Sequence, residues 1–253
     1  MKSLLYLLLL SPLMAYAQAG SELIFEISTM SVSRANTAQV ENAMGAHNKK
    51  YHASGPSGVR VFVVQTGTNS GDYKWVMGPG PWSALDNRPA DDVHNADWDD
   101  NVEKYLNEET NTEYIRLDKE LSRFPKDFNA DKLFVRYVDV VPGKQKEATD
   151  IIKKIVRIYT EKIPDETFGI YYNEVPSTSG GRDITIVSYF DKYAWMGVDD
   201  GFNAKYDEIY GKGAADALWV SWQAVTVGQE CEIWEYQEKL SGLPAMIKAA
   251  ERK

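Results

Sequence analysis

The chain is built on an internal repeat. The segment Glu113 to Pro125 lies over Glu232 to Pro244, pairing Glu113 with Glu232, Leu121 with Leu240, Ser122 with Ser241 and Pro125 with Pro244 at a separation of 119 residues. Upstream, Trp82, Asp86 and Asn87 fall on Trp195, Asp199 and Asp200 at a separation of 113. Further up, Val40, Ala43, Met44 and Tyr51 fall on Ala148, Ile151, Ile152 and Tyr159 at 108. Three matches in the same order point to one module used twice. The growing offset places small insertions in the second copy, where loops tolerate them.

Each copy carries the same succession of patterns. Glu22 to Met30 and Leu133 to Val141 are short β-rich runs that open the copies. Helices are expected over Thr37 to Ala53 and Lys144 to Ile163. The second shows Ala148, Ile151, Ile152, Ile155 and Tyr159 as one apolar stripe at 3.6 spacing. Pro142-Gly143 and Pro164-Asp165 bound that helix. Two strands around a polar turn follow, Gly58 to Thr66 with Tyr73 to Met77, and Phe168 to Val175 with Ile184 to Phe190 about a turn at Ser177 to Gly181. A second helical region is expected at Asp99 to Glu109 in copy one, and as Phe202 to Tyr210 plus Ala214 to Val225 in copy two. Closing strands lie at Glu113 to Leu117 and Glu230 to Tyr236.

The order β-α-β-β-α-β is the ferredoxin-like unit, whose four-stranded antiparallel sheet carries its helices on one face. The fold class is therefore α+β, with two tandem modules burying their open faces sheet to sheet. Residues 20–121 form the first module, 122–131 a linker, 132–240 the second module and 241–253 a tail. This layout, with Trp82 to Asn87 and Trp195 to Asp200 each following a third strand, resembles the dimeric α/β-barrel superfamily. That superfamily includes antibiotic-biosynthesis monooxygenases, NIPSNAP-like proteins and haem-handling relatives. The resemblance implies a barrel with an apolar interior pocket. It covers nearly the whole mature chain but includes no catalytic motif, so it carries over no functional residue.

The first 17 residues read as a secretory signal peptide: Lys2, an apolar run from Leu4 to Met14, and the small residues Ala15 and Ala17 before cleavage near Gln18. The expected location is the periplasm or the extracellular medium. Removing a leader with one Lys and no acid takes the formal charge from −9 to −10. An acidic surface argues against nucleic acid and membrane surfaces as partners. The single Cys231 excludes an internal disulfide, so the core alone must hold the fold. Between Glu230 and Glu232 its thiol is expected to be inert.

Candidate site residues are few. Gly78-Pro79-Gly80-Pro81 lacks the Lys-Ser/Thr of a phosphate loop and reads as a rigid turn. His47 falls on the apolar face of the first helix, where copy two has Ile155. It is either a hydrogen-bonded core residue or a group at the edge of a cavity in copy one, with a haem axial ligand as a further reading. His47, Tyr51 and Trp82 are the ligand-binding candidates, and His52, about 100° further round the helix, is expected to be exposed. The acidic stretch Ala90 to Asn101 lacks the pattern of a calcium loop and reads as an exposed loop in which Asp99 or Asp100 caps the next helix. No metal ligands and no cofactor are assigned, and no catalytic residue emerges.

Function narrows to classes. The leading expectation is an exported module binding a small apolar or aromatic molecule in the barrel interior. A cofactor-independent oxygenase or haem-binding protein is the alternative, and a protein-interaction module without a small ligand is the third. The oligomeric state is left open.

Overall fold

The computed structural model describes residues 22–177 and 180–252. The leader with its cleavage point at Gln18, and the middle of the turn expected at 177–181, lie outside the described residues. In chain order the first half contains β1 (Ile24–Val32), α1 (Thr37–Tyr51), β2 (Val59–Val64), β3 (Tyr73–Gly80), the short α2 (Trp82–Asp86), α3 (Asp92–Asn101) and β4 (Leu106–Arg123). A small strand β5 (Asp127–Asn129) precedes the second half. That half comprises β6 (Lys132–Val140), α4 (Gln145–Lys162), β7 (Phe168–Asn173), β8 (Ile184–Phe190), α5 (Phe202–Tyr210), α6 (Ala214–Val225) and β9 (Thr226–Tyr236). β10 (Met246–Lys248) is the last strand among the described residues, and a 3-10 turn over Ala249–Arg252 follows it.

Eight strands form one closed antiparallel barrel in the order β1-β3-β2-β9-β6-β8-β7-β4. Within each half the order is fourth, first, third, second, as the ferredoxin-like unit requires. The halves join because each fourth strand outgrows its own sheet. β4 pairs Phe25 with Ile115 on one side and Ile170 with Asp118 on the other. β9 pairs Leu133 with Trp234 and, across the second seam, Val64 with Trp234. Closure removes the open edges that two separate sheets would leave.

Strand alternation sorts the side chains into three cores. Ile27, Phe62, Val64, Ile115, Leu117, Leu133, Val135, Tyr171, Val187 and Trp234 fill the barrel. The outward residues Val59, Val61, Tyr73, Trp75 and Met77 pack with Val40 and Met44 of α1. Their counterparts Val138, Val140, Phe168, Ile170 and Ile184 pack under α4, α5 and α6. One end of the barrel interior is polar. Lys74 Nζ lies 3.5 Å from Glu232 Oε2, both side chains being fully buried, and Arg182 pairs with Glu113 and Glu230. Burial pushes the Lys74 ammonium below its usual range, against the opposing pull of Glu232.

Several local expectations shift. The helix expected at Asp99 to Glu109 is instead α3, ending at Asn101. The acidic stretch is that helix, not a loop: Asp91, rather than Asp99 or Asp100, caps it by accepting from the amides of Val93 and His94. Buried Val102 then anchors the chain, and strand begins at Leu106. Gly78 to Gly80 completes β3 in place of the expected rigid turn, and Pro81, itself extended, is the N-cap of α2. The expected linker and tail are tied together by the pairing of β5 with β10, and Arg60 of β2 holds the tail to the barrel by donating to Glu251 at 2.8 Å. Cys231 is half-buried in β9, opposite Arg136.

Candidate functional site

Two cavities differ sharply. The barrel interior retains only about 60 Å³, among Phe25, Phe62, Leu133, Tyr171, Tyr189 and Trp234. That is room for a water or two, so the barrel is a packed core rather than the ligand chamber expected of it. A cavity of about 790 Å³ lies outside the barrel wall, between the outer face of β6, β7 and β8 and the helices α4, α5 and α6. Its size is that of small-molecule sites. Phe134, Phe168, Phe202, Trp195, Trp219 and Trp222 are among its lining residues. Met196, Val198 and Trp219 are exposed at its rim, which opens it to solvent.

The polar groups of this cavity are mostly spoken for. Tyr159 donates to Asp200 at 3.1 Å, the Trp195 indole donates to Glu166 at 3.1 Å, and the Trp219 indole donates to Asn203 at 3.0 Å. Burial, with Asp200 beside it, pushes the Tyr159 phenol well above its usual range. Arg136 differs. It projects outward from β6 into the cavity, and its Nε is buried without a hydrogen-bond partner. Its guanidinium contacts the Phe134 ring at 5.5 Å. A buried, unpaired donor in a cavity lined largely by aromatic and aliphatic side chains is a ready partner for an anionic group.

A second assembly lies on the first module. α1 presents His47 and Tyr51 one turn apart, and α3 presents His94, Asp97 and Trp98 on a facing surface. The His47 side chain is 1% exposed, with Tyr51, His94, Trp98 and His52 rings at 4.8, 4.8, 5.0 and 5.4 Å. Its Nδ1 donates to Asp97 Oδ2 at 2.8 Å, while its Nε2 is buried without a partner. His52 Nδ1 donates to the Ser57 carbonyl at 2.7 Å, and its Nε2 faces His94 Nε2 at 3.3 Å. His94 Nδ1 lies 3.1 Å from Asn95 Oδ1. Burial lowers His47 against the pull of its bond to Asp97, and lowers His52 to about 4. Both imidazoles are neutral at neutral pH.

Compared at the level of sequence, the chain matches no family model and no curated protein. Solved structures do match it. A monooxygenase-like protein of Fusobacterium nucleatum superposes with a TM-score of 0.57 at 12% identity, covering 85% of this chain and 93% of its own. An anthrone oxidase-like protein gives 0.53 at 11%, covering 92% and 95%. The chlorite dismutase of Candidatus Nitrospira defluvii gives 0.50 at 7%, covering 86% and 92%. The fold is that of the dimeric α/β barrels.

In this dimeric α/β barrel the three sequence-derived ligand candidates do not gather around one cavity. His47 and Tyr51 meet in the histidine assembly and line neither cavity described above. Trp82 packs on Tyr114 with ring centres 5.6 Å apart. Their counterparts in the repeat are Ile155, Tyr159 and Trp195, and all three line the large cavity. The repeat thus marks the right seam, between sheet and helices, but the open space is in copy two. In copy one, His47, Trp75 and Trp98 occupy that seam.

His52 is corrected from exposed to buried, at 3%. The wheel assumed a helix running through Ala53, whereas α1 stops at Tyr51 and His52 is its C-cap, at φ −126° and ψ 32°. Leaving helical geometry turns its side chain toward Trp75 and His94. No spacing rule could have joined His94 to the pair from α1, because the contact depends on how α3 docks. Haem does not suit the large cavity through a histidine ligand, since no histidine lines it.

Proposed function

We propose that this chain is an exported binding protein whose second module holds a small molecule with an apolar or aromatic body and an anionic group. The observation that carries the reading is the 790 Å³ cavity, rich in aromatic side chains, with the buried, unpaired Nε of Arg136 in its lining. Aromatic rings supply contact area at low entropic cost, while one fixed cation orients the ligand. Such a division of labour needs no catalytic group. The leader pattern at residues 1–17 supports export. No described helix is long and apolar enough to cross a membrane.

Binding can be followed through the cavity's own tryptophans. Titration with aromatic carboxylates and their neutral amides should quench Trp195, Trp219 and Trp222, with the carboxylate binding more tightly. Ile155→Trp should narrow the cavity and weaken the quenching while the circular dichroism stays unchanged. Equal quenching in that folded variant would sink the reading. Oxygen uptake during the titration would move the protein to the oxygenase class. Sequencing of exported protein should begin near Gln18, and a retained Met1 would remove the case for a cleaved leader.

A further inference from the structure

We propose that His47, His52 and His94 form a binding site for one divalent transition-metal ion, of the zinc class, on the outer face of the first module. One ring nitrogen from each histidine lies within 4.8 Å of the others. Nitrogens bound tetrahedrally to one zinc ion at ~2.0–2.1 Å stand about 3.3–3.4 Å apart. The His52 and His94 Nε2 atoms are already 3.3 Å apart. Small rotations would bring His47 Nε2 into the same triangle.

The proton positions favour a cation. His47 Nδ1 faces a carboxylate and His52 Nδ1 faces a carbonyl oxygen, so both carry hydrogen at Nδ1 and a lone pair at Nε2. Two lone pairs therefore point at the shared gap, and His94 can donate a proton to only one of them. With His94 Nδ1 donating to Asn95 Oδ1, all three Nε2 atoms offer lone pairs. An ion satisfies them together; a hydrogen bond between His94 and His52 leaves His47 Nε2 unpaired, as it stands.

Each ligand has the outer partner that metal-binding histidines use: Asp97 for His47, the Ser57 carbonyl for His52 and Asn95 for His94. Three imidazoles without a carboxylate select zinc, copper, nickel or cobalt over calcium or magnesium. The fourth position falls to water or to Tyr51, whose hydroxyl is also buried without a partner and whose ring lies 4.8 Å from His94. The site is separate from the cavity of the second module and stands or falls independently of it.

The test uses tag-free full-length mature protein, stripped with EDTA and titrated with zinc sulfate by calorimetry. Saturation at one ion per chain is expected, and cobalt should give the visible bands of a tetrahedral centre. His94→Ala, on the partly exposed helix α3, should weaken zinc binding by more than the roughly 10- to 100-fold that loss of an outer partner costs. His52→Asn should do the same, and serves if His47→Gln fails to fold. No saturable uptake by folded parent protein would overturn the site. So would unchanged one-to-one binding in folded His94→Ala.

Discussion

Asp97 accepts a hydrogen bond from His47 Nδ1 at 2.8 Å, and by holding that proton it leaves His47 Nε2 as a lone pair inside a closed ring of aromatic side chains. Asp97 itself is about one-third exposed, so its carboxylate needs no buried counter-charge. Asp97→Asn keeps an acceptor of the same shape but removes the charge that makes the imidazole a stronger donor. Zinc affinity is expected to fall about 10- to 100-fold. Calorimetry of the variant checks this, and an unchanged affinity would show that Asp97 only packs against His47.

Arg136 tests the other module. Arg136→Met keeps the length and apolar contact of the side chain and removes the buried unpaired donor. Affinity for an aromatic carboxylate should drop about ten- to a hundredfold, the range of a charged hydrogen bond. Affinity for the neutral amide should barely move. Tryptophan fluorescence reads both, and an equal loss for the two ligands would assign Arg136 a purely structural role.

The polar end of the barrel predicts a large stability effect. Lys74 and Glu232 are both fully buried, and Glu232 also accepts from the Trp234 indole at 2.6 Å. Lys74→Met leaves the Glu232 carboxylate without its cation and should cost about 3–5 kcal/mol. The double variant Lys74→Met with Glu232→Gln should cost less than the two single losses added together. Urea denaturation of the three variants measures this. A strictly additive result would mean that the pair is not coupled.

A tertiary contact between the chain's end and α1 can be probed at Gly242. A methyl group there would run into the backbone oxygens of His52 and Asn48 at the end of α1. Asn48 is bound from both sides, donating to the Leu240 carbonyl at 2.7 Å and accepting from the Trp75 indole at 3.1 Å. Gly242→Ala should therefore cost about 1–3 kcal/mol. Gly228→Ala meets no atom within 4 Å and should stay within about 0.5 kcal/mol of the parent. Similar melting temperatures for the two variants would contradict the close approach.

The sequence by itself determined the repeat and the β-α-β-β-α-β order, because these follow from local periodicity, turn residues and a module used twice, and its resemblance to the dimeric α/β-barrel superfamily implied the barrel. Ala148, Ile151 and Ile152 of the expected stripe are buried in α4, whereas its other two members, Ile155 and Tyr159, line the cavity. Only the tertiary structure decided where open space remains. Whether Ile155 faces a cavity and His47 a wall of rings depends on the docking of α5, α6 and α3, and packing of that kind leaves no period in the chain. The same holds for the three histidines. His47 and His52 are five residues apart, but His94 reaches them across 42 residues or more, through a helix whose start was set by Asp91. Spacing along the chain records contacts within one element; convergence of side chains from separate elements is set when those elements pack.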